Sequence, residues 1–331
     1  MLRRLVACLL AITCLTGATA LAAGPYDLAI LSQWDERFYD NDFYYNDNQF
    51  RFGGCGPASV TNALVAVLDV TDQDLAAGME RDVMYLLTDH RPAHNTINIA
   101  RLSYLNSADG PLALDPRYPS LNQALLEYNG RFIYDGLNVT AVDIEEALGY
   151  LDGSKALYHG TMAKSNFWPG LVEIVDLLMS CGYQNSLIVV GFLSAGTETT
   201  AGPFRSGTAG HYLSLYIHVQ EFAQAGTFYV LDSFPRALED EPCGTRDATY
   251  NYTYDFVNTS SRPSALAAFT ENFELERIQP TVLRVLPTGE ARDALRHHAD
   301  DEQPIDALLP YLDNIVKFYN SPHIFIVLHE M

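Results

Sequence analysis

Hydrophobic positions along this chain follow two different periods. In the first half, apolar residues recur at three- and four-residue spacings, which is typical of helices that bury one face. Helices are predicted over residues 58–68, 71–87, 120–128, 141–151 and 170–182. Thr71 or Asp72 is the candidate N-cap of the second helix. Residues 24–52 are rich in Tyr, Asp and Asn and show no period, so they are predicted to form a wrapped loop.

In the second half, β-branched and aromatic residues form short runs bounded by Gly, Ser or Asp, which indicates strands. Strands are predicted over residues 186–193, 211–219, 227–234, 281–287 and 323–330, with a further helix over 305–319. Alternation within 211–219 puts His211 on one face with three aliphatic residues and Ser214 on the other face. Helices followed by strands predict an α+β fold with two lobes and a cleft between them.

The first residues of the chain are predicted to be a secretory signal peptide, residues 1–22. A basic start (MLRR) precedes an apolar run and the small residues Ala20 and Ala22. No later stretch approaches the roughly eighteen uncharged apolar residues of a membrane span. We therefore expect a periplasmic or secreted protein with no membrane span after signal cleavage. Residues 23–331 are predicted to be a single domain with a C-terminal extension from about residue 240.

The charge balance limits the partners that this chain can bind. It has 41 acidic and 20 basic residues, which gives a formal net charge of −21. Such a surface repels phosphate groups, so nucleic acid is not expected as a partner. With 48% hydrophobic and 18% charged residues, the composition is that of a globular protein with a sizeable core.

The cysteines predict one unpaired thiol. Two of the five leave with the signal peptide, and Cys55, Cys181 and Cys243 remain. An odd number in an oxidising compartment leaves one thiol over. Cys181 and Cys243 are a possible disulfide, and the sequence leaves open whether their geometry allows it. If they pair, Cys55 is the free thiol.

Cys55 lies in the stretch GGCGPAS, directly before an apolar helical run. A cysteine at a helix N-terminus has its thiolate stabilised by the helix dipole and by free amide hydrogens. The flanking glycines allow a sharp turn and leave room for a substrate. Pro57 suits a first helical turn, where its missing N–H has no cost. The alternative is a small cysteine buried in a core turn, the more frequent environment for this residue type.

A catalytic thiol also needs a base, and His211 is the candidate. It opens a predicted strand, and Asp232 stands near the end of the next one. Neighbouring antiparallel strands bring the start of one beside the end of the other, where an aspartate can accept from the imidazole and hold its tautomer. The alternatives are a core histidine with its hydrogen bonds satisfied and a turn-capping aspartate.

Three motifs resemble the papain-like cysteine peptidase superfamily, and they are most similar to its C39-like peptidases. They are Q-x5-C-G-P-A-S at Gln49–Ser59, G-H-Y-L at Gly210–Leu213 and V-L-D-S-F-P at Val230–Pro235. The resemblance implies a papain-like two-lobed fold with an N-terminal helical lobe that carries the Cys helix and a C-terminal antiparallel β-sheet lobe. It spans roughly residues 45–236.

The resemblance also implies a secreted thiol hydrolase that cleaves a peptide or amide bond with a Cys-His-Asp triad. Cys55 would be the nucleophile, His211 the general base and Asp232 the residue that orients the base. Gln49 would donate its amide to the oxyanion, since a glutamine six positions before the cysteine does so in this superfamily. The substrate would be a peptide or protein, and neither a metal nor an organic cofactor is expected.

Two other functions fit the same residues. One is that of the phytochelatin-synthase type, a papain-fold transpeptidase or hydrolase of γ-glutamyl peptides. The stretch CGPASVTNAL of this chain also resembles the nucleophile helix of that type. Such an enzyme needs a basic clamp for substrate carboxylates, for which Arg51 and Arg205 are candidates. The other is a catalytically inactive papain-fold binding protein with its triad residues misaligned.

Overall fold

The computed structural model describes residues 25–32, 55–88, 101, 115–127, 134–138, 157–161, 167–180, 184–194, 210–233, 271–299, 301, 304–312 and 323–329. The α-helices are α1 (Cys55–Val67), α2 (Gln73–Thr88), α3 (Pro119–Glu127), α4 (Phe167–Ser180), α5 (Val219–Ala225), α6 (Gly289–His297) and α7 (Leu309–Leu312). The strands are β1 (Tyr134–Asn138), β2 (Leu157–Thr161), β3 (Gln184–Ser194), β4 (Gly210–His218), β5 (Phe228–Leu231), β6 (Phe273–Gln279), β7 (Val282–Pro287) and β8 (His323–His329).

The strands of the described residues form one sheet in the order β1-β2-β8-β3-β4-β5-β7-β6. β1 and β2 are parallel, and every other neighbouring pair is antiparallel. β8 is inserted between β2 and β3, and β7 extends the sheet beyond β5. The strands β6, β7 and β8 therefore belong to the same sheet as β3, β4 and β5.

Helices cover both faces of this sheet. On one face, residues of α4, α5 and α6 share one hydrophobic cluster with Leu213, Leu215 and Ile217 of β4, and we call this cluster the α4-side core. On the other face, α1, α2, α3 and residues 29–31 pack around Tyr216 of β4, and we call this cluster the α1-side core. The predicted alternation of β4 is confirmed for these residues. The prediction of an α+β fold is confirmed at that level.

The start of α2 confirms one of the two predicted caps. Asp72 Oδ1 accepts hydrogen bonds from the backbone N–H groups of Asp74 (2.8 Å) and Leu75 (3.1 Å). These two donors belong to the first turn of α2, whose N–H groups have no acceptor within the helix. Asp72, and not Thr71, is therefore the N-cap.

The predicted strand over 211–219 ends one residue early because a short helix follows it. His218 Nδ1 accepts from the backbone N–H of Glu221 at 3.3 Å, which caps α5. Gly226 then ends α5 with φ 64°, and its N–H donates to the Phe222 carbonyl at 2.7 Å. A glycine adopts this left-handed conformation without a steric penalty.

Other elements differ from the sequence prediction. β1, β2, β6 and α6 were not predicted, because they are short or carry charged residues on their exposed positions. The helix predicted over 305–319 begins as a 3₁₀ turn at Pro304–Leu308 and continues as α7. The helix predicted over 141–151 lies outside the described residues. Among the described helices, none is both long enough and apolar enough to cross a bilayer.

Acidic side chains meet where α4 packs on the 3₁₀ turn. The pKa of Asp176 on α4 is raised from its ordinary 3.8 to about 6, chiefly by burial and also by the nearby carboxylates of Asp306 and Glu173. The ionised form of Asp176 is thus disfavoured in the folded protein. This contact favours folding when the carboxyl is protonated.

We predict that Asp176→Asn raises the urea midpoint of unfolding at pH 7.5. Because the folded-state pKa is raised, the stabilising contribution is complete below about pH 4 and is lost as pH rises through about 6. The amide removes the charge that burial disfavours, so its benefit grows as pH rises above about 4 and is complete above about 6. Urea unfolding followed by circular dichroism at pH 4.5 and 7.5 measures it.

The control for this prediction is Asp293→Asn, which removes a charge from an exposed position of α6. Equal gains for both variants at pH 7.5 would assign the effect to net charge and contradict a local origin at Asp176.

Candidate active site

Helix α1 begins at Cys55 itself, three residues earlier than the predicted start at residue 58, so Cys55 lies at a helix N-terminus as expected. The first turn of a helix has amide hydrogens without partners in the helix, and its dipole is positive at that end. The residues that follow Cys55 in α1 are buried from Gly56 to Ala66. The helix is therefore held inside the protein, and Cys55 occupies the end at which an anion is stabilised.

Two hydrogen bonds join α1 to β4. The Ser59 hydroxyl donates to the Tyr212 carbonyl at 2.8 Å, and the Ser214 hydroxyl donates to the Ser59 carbonyl at 2.8 Å. Both serines are fully buried. Ser59 lies one turn after Cys55, and Tyr212 directly follows His211. The helix that begins at Cys55 is thus in contact with the strand that contains His211.

His211 is the second residue of β4, and its backbone pairs with Leu193 of β3. On the other side, the pairing of β4 with β5 begins only at Ser214 opposite Leu231. In the described part of the sheet, residues 210–213 therefore have a partner strand on the β3 side alone. The start of β4 therefore contacts α1 where β4 is not paired with β5.

Asp232 directly follows β5 and is 3% exposed. Its backbone N–H donates to the Thr281 carbonyl at 2.9 Å, which holds it beside β7. Continuing the β4–β5 register by one residue would set Asp232 opposite Leu213, two residues from His211. The predicted antiparallel pairing of β4 with β5 is confirmed from Ser214 opposite Leu231 onward, whereas the juxtaposition of His211 with Asp232 stays a prediction. A contact between the His211 and Asp232 side chains stays a prediction.

Another polar residue of α1, Asn62, binds a segment of the loop that was predicted over residues 24–52. Asn62 Oδ1 accepts from the Leu31 N–H at 2.7 Å, and Asn62 Nδ2 donates to the Leu31 carbonyl at 3.0 Å. The Thr281 hydroxyl donates to the neighbouring Ile30 carbonyl at 3.4 Å. Residues 29–31 are therefore bound on one side by α1 and on the other by the turn before β7.

The sequence prediction did not assign a role to Ser59, Asn62 or Ser214. A signal was present for Ser59 and Asn62, which are polar residues inside the apolar run of α1, whereas the alternation of β4 put Ser214 on the face opposite the aliphatic residues. Buried polar groups need hydrogen-bond partners, so such residues indicate specific contacts. Which contacts they make depends on how α1 and β4 cross, and local pattern does not contain that information.

Several predicted site residues lie outside the described residues. They are Gln49, Cys181, Cys243, Arg51 and Arg205. The oxyanion donor, the disulfide and the basic clamp therefore stay predictions. The part of the chain that the structure describes contains no group of three or more His, Cys, Asp or Glu side chains arranged to hold a metal ion.

His218, the other histidine of β4, has a structural role. It is buried, and burial lowers its pKa, although the Glu221 carboxylate acts in the opposite direction. A neutral imidazole is what the cap of α5 requires, since Nδ1 accepts the Glu221 N–H. His218 therefore caps α5 at the C-terminal end of β4, whereas Tyr212 lies near the N-terminal end of that strand.

Comparison with known proteins gives no relative: no family model, curated protein or solved structure matches this chain.

We predict that Asn62→Leu lowers the free energy of unfolding by about 2–4 kcal/mol. Leucine has a similar volume but leaves the Leu31 N–H and carbonyl without partners, and a buried polar group that loses its partner costs roughly 1–3 kcal/mol. Urea unfolding at pH 7 measures the change. The matched control is Thr61→Val, since the Thr61 hydroxyl bonds only to Pro57 within the same helix. A loss for Asn62→Leu no greater than for Thr61→Val would contradict the prediction.

Proposed function

We propose that this protein is a periplasmic or secreted cysteine peptidase with a papain-like two-lobed fold, similar to C39-like peptidases. The observation that carries the proposal is the Ser59–Tyr212 hydrogen bond, which links the helix that begins at Cys55 to the residue after His211. These two elements lie 153 residues apart in sequence at this bond. A nucleophile helix and a base-bearing strand in contact are what a thiol hydrolase requires.

In the proposed reaction, the Cys55 thiolate attacks the carbonyl carbon of the substrate amide. The oxyanion that forms accepts hydrogen bonds from the Cys55 N–H and from the Gln49 amide. His211, protonated by the thiol, gives this proton to the leaving amine, and a thioester remains. Water then attacks the thioester while His211 takes its proton, which releases the acid and restores the thiol.

Asp232 supports the role given to His211. It is a buried acid directly after β5, the strand that pairs with β4 from Ser214 onward. A carboxylate in such surroundings interacts strongly with a neighbouring imidazolium, because little water screens it. In the proposed site Asp232 accepts from the imidazole and favours its protonated form.

The net charge bears on the substrate. At −21, the protein attracts neutral or basic peptides more readily than anionic ones. This favours a peptidase that uses water as acceptor over the γ-glutamyl transpeptidase alternative, whose substrates carry several carboxylates.

We predict that iodoacetamide labels Cys55 rapidly at pH 6, because a thiolate–imidazolium pair keeps the sulfur ionised there. In His211→Ala, labelling at pH 6 falls, and the midpoint of the rate profile moves toward roughly 8.5, the value of an ordinary thiol. Mass mapping of the labelled peptide against pH measures it. Cys55→Ser is the control for labelling elsewhere.

Labelling of wild-type Cys55 only near pH 8.5 would reject the peptidase and favour a papain-like fold used for binding. Failure to label Cys55 until a reductant is added would also reject it, since the thiol would then be in a disulfide.

We also predict that Asp232→Asn moves the midpoint of the same labelling profile upward by about one to two pH units. Asparagine keeps the shape and an acceptor oxygen but removes the charge that stabilises the imidazolium. The midpoint should lie between those of wild type and His211→Ala. Asp82→Asn is the matched control, because Asp82 is also buried, at 5% exposure, and instead accepts from the Leu121 N–H in α3. Equal shifts in the two variants would contradict the role of Asp232.

A further inference from the structure

The contact between α1 and β4 includes a polar connection inside an apolar core. Ser59 uses both of its polar groups there: the hydroxyl donates to Tyr212, and the carbonyl accepts from Ser214. Ser59 is surrounded in α1 by Val60, Ala63 and other members of the α1-side core. Apolar packing alone would bury this surface equally well, because the hydrophobic effect has no preferred direction.

Hydrogen bonds add what apolar packing lacks, which is a fixed distance and direction. Tyr212 and Ser214 are two positions apart on the strand, and both bonds meet at Ser59. One bond resists sliding of α1 along β4. The two bonds together also resist rotation of α1 relative to β4. This matters at the start of β4, where residues 210–213 lack pairing with β5 in the described sheet.

We propose that Ser59 and Ser214 are positioning residues that set the separation of Cys55 from His211. This inference rests on the proposed function, since it assigns the two serines to the geometry of that thiol–imidazole pair. Ser59 acts one helical turn from the nucleophile, and its acceptor is the residue directly after the base. Loss of either hydroxyl lets α1 shift on β4, and a misplacement of about 1 Å at a catalytic pair lowers the rate by about 100-fold.

The test compares Ser214→Val with Ser214→Thr. Valine and threonine have nearly the same shape and both favour strands, so the pair differs in the hydroxyl alone. We expect Ser214→Thr to keep rapid alkylation of Cys55 at pH 6. Ser214→Val should lose about 10- to 100-fold in that rate, with the midpoint of the profile moving toward roughly 8.5. Ser59→Ala should move it in the same direction.

Thr61→Val is the matched control on α1, because it removes a buried hydroxyl that bonds within the helix and leaves the link to β4 intact. Its labelling profile should equal that of wild type. Circular dichroism and urea midpoints establish that each variant is folded. If Ser214→Val does not fold, Ser59→Ala decides by the same profile.

The outcomes separate the inference from the function on which it rests. Rapid labelling at pH 6 in wild type, in Ser214→Val and in Ser59→Ala would overturn the positioning role and leave the peptidase standing. A shift as large in Thr61→Val would also overturn it, because any loosening of α1 would then suffice. Labelling of wild type only near pH 8.5 would overturn both.

Discussion

The arrangement of this protein depends on the crossing of α1 over β4. Ser59 and Ser214 fix that crossing with two hydrogen bonds, and the residues around them are fully buried. β4 is also central in the sheet, so its alternate residues face the two separate cores. A change at this crossing therefore affects both layers of helices and the strand that holds His211.

Polar residues of α1 connect it to two other parts of the chain as well. Asn62 binds residue 31 and Ser59 binds residue 212, so one helix bridges segments about 180 positions apart in the sequence. Each of these side chains is satisfied by backbone groups and not by other side chains. Bonds to backbone groups hold a neighbouring segment in place whatever side chain that segment has. Helix α1 therefore fixes the positions of residues 31 and 212.

Much of the fold was predictable because periodicity reports burial. The alternation of residues 211–219 gave the two faces of β4, and the capping residue types Thr71 and Asp72 limited the start of α2 to two positions, of which the structure has Asp72. The order of β3, β4 and β5 followed from their succession in sequence. The place of β8 did not, because pairing across more than 100 residues leaves no local pattern. For the site, the helix start at Cys55 was predictable, whereas the Ser59–Tyr212 bond depends on a crossing that only tertiary packing defines.

The insertion of β8 between β2 and β3 also orders the events of folding. β2 and β3 are made early, but the strand that separates them begins at residue 323. Contacts of such long range slow folding, because a large loop must close before they form. The part of the sheet that contains β1 and β2 therefore joins the part that contains β4 only when residues 323–329 are in place.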